Sequence, residues 1–178
     1  GLAGFVNFSS FNSQQAFIML KKMGNNIVNR GPDDSGIWIN SKNTYGVVHQ
    51  RLSIIDLSKN GHQPMSSLSK RYTIAYNGEI YNHIEIRNIL NEKFSFNNWV
   101  GTSDTETLLQ SIELMGLTKT LEISHGMFAF ALWDNSKNQL LLVRDRMGEK
   151  PLYYGKINNM FFFCSDTKSL KAIPDFNP

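Results

Sequence analysis

Three short stretches hold the side chains best suited to chemistry. "HQRLSIID" carries Arg51, "YNGE" carries Asn77, Gly78 and Glu79, and "TSDTE" carries Asp104. An arginine, a primary amide beside a glycine and two carboxylates form a set that can hold a free amino acid. The guanidinium gives two parallel hydrogen bonds to an α-carboxylate, and a carboxylate accepts from an α-ammonium. An Asn amide next to an unobstructed glycine N–H suits an oxyanion, the charge that develops when a nucleophile attacks a carbonyl carbon. Each residue also has a structural reading. Asn-Gly is a turn dipeptide, Asp104 beside Ser103 can be a first-turn charge facing the helix dipole, and Arg51 can pair with Asp56 at the surface, a contact worth roughly 0–1 kcal/mol.

The surrounding elements have to place these groups. "GLAGFVNF" reads as a strand from its first residue with no spacer before it, so the residue ahead of Gly1 is expected to matter. Ser13 is expected to cap a helix with Ala16, Leu20, Met23 and Ile27 on one face, ending near Gly24 or a little later. "RGPDDSG" breaks regular structure, "GIWIN" and "YGVVHQRLSIIDL" read as strands around the turn "SKN", and "GHQPM" reads as a loop. "RYTIAYNGEIYN" reads as a strand running into a turn at Asn77-Gly78, with a helix from Asn82 that turns Ile86, Ile89 and Leu90 inward. "TSDTETLLQSIELMG" holds a capping-box pattern at Ser103 and Glu106, then Leu108, Ile112 and Met115 on one face, with Gly116 as a stop. Beyond it the period changes to two, and "MFAFALWD" with "QLLLVRD", then "PLYYG" with "MFFFC", read as two hairpins.

Hairpins with three helices, rather than regular alternation, predict an α+β fold with antiparallel sheets. "MFAFALW" and "MFFFC" are apolar on both faces, as they would be if two sheets stacked and helices covered the outsides. A chain of 178 residues, 41% of them hydrophobic, fits one globular domain. The formal charge of +3 is spread thinly, with only Lys21-Lys22 and Lys70-Arg71 adjacent, which argues against a nucleic-acid partner. The four histidines lack metal-ligand spacing, so no metal is expected. No apolar run approaches the roughly 18 residues of a membrane span, and the start lacks a signal pattern, so a cytoplasmic protein with no membrane partner is expected. Cys164 is the only cysteine. It alternates with large apolar residues in "FFFCSD", and it reads as a small core residue in a reducing compartment rather than a nucleophile.

"GLAGF", "RGPDDSG", "HQRLSIIDLS", "GHQPM", "YNGEIYN", "TSDTETLL", "GMFAFALWD" and "RDRMGEKPLYYG" resemble, in order and over nearly the whole chain, the glutaminase domain of glutamine-dependent asparagine synthetases. The resemblance implies a class II glutamine amidotransferase domain over residues 1–178, with the N-terminal-nucleophile hydrolase fold, a four-layer α-β-β-α sandwich. Members begin, after methionine removal, with a motif like Cys-Gly-Ile-Ala-Gly-Phe, and that cysteine is the nucleophile. Here it would stand immediately before Gly1. Cys164 matches no family nucleophile, and "FCSDTKSL" and "MGEK" depart from the family's usual pattern away from the glutamine pocket.

Residue by residue, the resemblance makes Arg51 the partner of the glutamine α-carboxylate, with Leu52, Ser53, Ile54 and Ile55 lining the same wall. Asp104 and Glu79 would hold the α-amino end. The Asn77 side chain and the Gly78 N–H would form the oxyanion hole. The glutaminase needs no cofactor. Its ammonia would feed an ATP- and Mg-dependent synthetase domain, in cis or in trans, that amidates aspartate, and no Walker-type or Ser-Gly-Gly-x-Asp-Ser loop for that domain occurs in these residues. A linker to it would begin near "AIPDFNP". The same unit is attached to enzymes that amidate sugar acids, and a non-catalytic glutamine-binding or docking domain is the alternative from another class. A homodimer is open to either.

Overall fold

Along the strand Gly126–Asp134 the side chains divide cleanly. Phe128, Phe130 and Leu132 enter one apolar cluster, and Ala131 and Trp133 enter another. This is the period-two geometry of a strand covered on both faces. The computed structural model describes residues 1–8, 12–173 and 176, and within them it repeats this division across two antiparallel sheets.

The chain runs through β1 (Leu2–Asn7), α1 (Ser13–Asn25), β2 (Asp34–Ile39), β3 (Tyr45–Arg51), β4 (Met65–Ser66) and β5 (Tyr72–Ile80). It continues through α2 (His83–Phe94), α3 (Asp104–Met115), α4 (Leu117–Ile123), β6 (Gly126–Asp134), β7 (Gln139–Arg144), β8 (Tyr153–Ile157) and β9 (Met160–Cys164). One sheet has the order β2-β3-β1-β9-β8 and the other β4-β5-β6-β7. Leu2, Tyr45, Val47 and Phe163 of the first meet Ala75, Ala131 and Trp133 of the second, with Tyr45 stacked on Trp133 at 4.5 Å. Helix α1 covers the outer face of the first sheet, where Ala16, Leu20 and Met23 pack on Ala3, Phe5, Val48 and Phe162. Helices α2 and α3 cover the second through Ile86, Leu90, Leu108, Leu109 and Ile112. The result is the expected α-β-β-α sandwich, in which each fully buried Phe or Leu contributes about 1.5–3 kcal/mol. Cys164 lies wholly buried in the α1-facing cluster, where burial pushes its thiol pKa up, as suits a core residue.

Several local expectations change. Asn12, not Ser13, caps α1: its side chain accepts from the Gln14 N–H at 2.9 Å, and Ser13 is the first helical residue. Strand β3 stops at Arg51, and "LSIIDL" is a loop held by side chains. Asp33 accepts from the Ser53 N–H at 2.8 Å, and Arg51 binds carbonyls further along. Asn77-Gly78 is no turn. It lies inside β5, paired with Ala129 and Phe128 of β6, because the apolar residues on both sides extend the strand through the dipeptide. Ser103 does cap α3, its Oγ accepting from the Glu106 N–H at 3.2 Å, but the Glu106 carboxylate turns instead to the N–H groups of Val100 and Gly101. After Gly116, whose φ of +83° suits glycine, the fourth helix α4 follows, which periodicity missed. No helix among the described residues is long and apolar enough to cross a membrane. Of "AIPDFNP", residues 174, 175, 177 and 178 lie outside the described residues, and with them the expected linker start.

Candidate active site

At one end the two sheets part. Gly1 and His49 to Leu52 on one side, Tyr76 to Glu79 on the other, and Ser103 to Thr105 at the start of α3 line a cleft of about 400 Å³. Arg51, Asn77, Gly78, Glu79 and Asp104, scattered in sequence, all reach it. So do Leu52, Ile54 and Ile55, which are exposed apolar side chains on its rim. Ser53 sits on the same loop but is not part of the lining, and its N–H is taken by Asp33. The charges are of both signs, Arg30, Arg51 and Lys150 against Asp56, Glu79 and Asp104, which suits a zwitterion.

Arg51 ends β3 and is 8% exposed. Its Nη1 donates to the Ser58 carbonyl at 2.9 Å and its Nη2 to the Asp56 carbonyl. Two uncharged acceptors thus hold the guanidinium, and among the described residues Arg51 forms no ion pair with the Asp56 carboxylate. Gly61 allows this packing, since a Cβ there would lie 2.0 Å from Nη2.

The strand register decides where the Gly78 N–H points. Phe128, opposite Gly78, turns its backbone to the far side of β6, where its N–H donates to Asp145 Oδ2 at 3.2 Å and its carbonyl accepts from the Asp145 N–H at 2.7 Å. Gly78 and Phe128 are therefore a non-hydrogen-bonded pair, and the polar backbone of Tyr76, Gly78 and Ile80 faces the other edge of β5. Strand β4 is too short to cover that edge. There the Tyr76 N–H donates to Gln63 Oε1 at 2.7 Å and the Ile80 N–H to Asp104 Oδ2 at 2.9 Å. Between them the Gly78 N–H faces the cleft. A side chain at 78 would strike the Met127 carbonyl at 2.3 Å, so close approach to β6 requires the glycine. Beside it Asn77 Nδ2 is buried with no hydrogen-bond partner among the described residues. Such a donor costs about 1–3 kcal/mol, and it marks a place where a ligand oxygen would be held.

Tyr76 ties the site together. Its hydroxyl donates to Asp104 Oδ2 at 2.8 Å, and its carbonyl accepts from His49 Nε2 at 2.9 Å across the gap between the sheets. Because a carbonyl only accepts, Nε2 carries the proton and Nδ1 is left as a buried acceptor without a partner among the described residues. Burial holds the His49 pKa well below 6.5, so the ring is neutral. Sequence reasoning missed His49, Gln63 and Tyr76, although each stands in a motif it singled out. Among the described residues no three His, Cys, Asp or Glu are grouped to hold a metal ion.

The family model described as a glutamine amidotransferase domain matches residues 1–178. The chain belongs to that family. It is 38% identical over 177 residues to glutamine-hydrolyzing asparagine synthetase 3 of Bacillus subtilis (strain 168), covering 98% of this chain and 28% of that protein. It is 40% identical over 175 residues to asparagine synthetase 2 of the same organism, covering 98% of this chain and 22% of that protein. The chain thus spans about a quarter of the length of these relatives. The solved glutamine phosphoribosylpyrophosphate amidotransferase from B. subtilis superposes with a TM-score of 0.79 over 96% of this chain and 43% of that one, at 17% identity, and so shares its fold.

Proposed function

We propose that this domain hydrolyses glutamine to glutamate and ammonia through a thioester on a cysteine immediately before Gly1. The observation that carries the reading is a pair of donors side by side at the cleft: Asn77 Nδ2, buried without a partner among the described residues, and the Gly78 N–H, which the strand register turns away from β6. Strand alternation supports it. Leu2 faces the space between the sheets, so a residue ahead of Gly1 would face the same way, opposite Arg51 in the register that pairs Leu2 with His49. Gly1 itself turns away, where a Cβ would meet Arg30 Cβ at 2.9 Å.

In this mechanism the cysteine thiolate attacks the side-chain carbonyl carbon, and the oxygen, now negative, takes both donors. The cysteine's α-amine carries the thiol proton to the departing nitrogen, directly or through a water, and ammonia leaves. Water then cleaves the thioester, giving glutamate and restoring the thiol. Arg51 takes the α-carboxylate, Asp104 and Glu79 take the α-ammonium, and Leu52, Ile54 and Ile55 cover the methylenes. Replacing Arg51 by lysine keeps the charge but loses the planar fork, so the glutamine KM should rise roughly tenfold or more with kcat little changed. An unchanged KM in steady-state assays would put the carboxylate elsewhere.

The relatives' names support asparagine synthesis as the use of the ammonia, with aspartate as acceptor and ATP and Mg at a synthetase domain in cis or in trans. The test of the glutaminase is the intact mass of the protein expressed from its complete gene, before and after treatment with a diazoketone analogue of glutamine. Adduct on a cysteine preceding Gly1 upholds the reading. A chain without that cysteine that stays unlabelled makes this a binding domain without a nucleophile.

A further inference from the structure

Two loops carry the charged ends of the cleft, and one buried carboxylate joins them. Asp56 is 6% exposed. Its main-chain carbonyl supports Arg51 Nη2, while its side chain reaches both ways. Oδ1 accepts from the Ser58 N–H at 2.8 Å and the Ser58 hydroxyl at 2.6 Å, fixing the turn whose carbonyl holds Arg51 Nη1. Oδ2 accepts at 3.0 Å from the N–H of Thr102, two residues before Asp104. A second strut runs from Asn60 Nδ2 to the Val100 carbonyl at 2.8 Å. Gly101 makes room for the contact, since a Cβ there would lie 2.7 Å from Asp56 Oδ2.

The far loop is itself anchored. Arg87 donates to the carbonyls of Gly101 and Ser103 and lies over the Trp99 ring at 4.1 Å. The brace therefore links Arg51 to a fixed point. In an α-amino acid the carboxylate and ammonium share one carbon, so the spacing between their partners is what recognises that headgroup. We propose that Asp56 is a positioning residue that sets the distance between Arg51 and the start of α3, and so selects a free L-α-amino acid headgroup. The inference rests on the glutamine reading above. Burial would raise the Asp56 pKa, but the Ser58 and Thr102 hydrogen bonds lower it to about 2, and the brace stays charged at neutral pH.

The test uses the protein expressed from its complete gene, with glutamine affinity read both by equilibrium titration and from KM. In Asp56→Asn a donor NH₂ must face either the Thr102 or the Ser58 N–H, and one bond of the brace is lost. The glutamine dissociation constant and KM should rise at least about tenfold with kcat within about threefold, and the preference for L- over D-glutamine should fall by a similar factor. Unchanged affinity, or a loss confined to kcat, overturns the proposal. Asn60→Ala, at an exposed position, should raise KM roughly threefold through the second strut. If Asp56→Asn does not fold, an unchanged KM in Asn60→Ala overturns the proposal by itself. A wild-type protein that neither binds nor hydrolyses glutamine would instead sink the functional reading on which the proposal stands.

Discussion

Asn77→Ala is expected to lower glutaminase turnover by about a hundredfold or more while the glutamine KM moves only a few fold. The substitution removes Nδ2, the buried donor that has no partner among the described residues. In the ground state the amide oxygen of glutamine carries a partial charge and gains modestly from this donor. In the tetrahedral intermediate the charge is whole, and the same donor, fixed in β5 and shielded from water, gains far more. The loss falls on the transition state, so kcat and kcat/KM drop together. Folding should survive, because Asn77 Nδ2 has no hydrogen-bond partner among the described residues for the variant to orphan, and the Asn77 backbone stays paired with Ala129. A purified variant that melts like the parent yet keeps more than about a third of its rate would remove Asn77 from the oxyanion hole.

The same dipeptide shows how much of the site the sequence makes legible. Its residue types were enough to single it out, but its conformation was misread. Asn-Gly favours a turn locally, and only the continuous partner strand, which pairs every residue from Tyr72 to Ile80, overrides that preference. The layered core was legible because period-two runs of large side chains, such as Phe161 to Cys164, announce burial on both faces. Strand β3 looked longer than it is because Leu52, Ile54 and Ile55 are apolar, yet they form the rim of the cleft. What periodicity cannot report is a side chain that binds backbone far away in sequence. His49 on the Tyr76 carbonyl, Gln63 on the Tyr76 N–H and Asp56 on the Thr102 N–H are contacts of this kind. Each fixes one part of the cleft against another, and no spacing rule predicts them.

A single alanine placed ahead of the cysteine proposed to precede Gly1 is expected to reduce glutamine hydrolysis by about a hundredfold or more, because it turns the α-amine into an amide that cannot carry a proton. The fold should tolerate the addition. The register that pairs Leu2 with His49 would bring the added residue opposite Leu52, beyond the end of β3, at the exposed rim of the cleft. The thiol is still present, so slow alkylation by the diazoketone should persist while turnover is lost. That combination separates a missing base from a displaced nucleophile. Intact mass must first establish that the alanine is retained, and initial rates with the extended and unextended proteins then decide. A normal rate in the extended protein would assign the proton to another group, and His49, neutral and with Nδ1 unpartnered among the described residues lining the cleft, would be the next residue to replace.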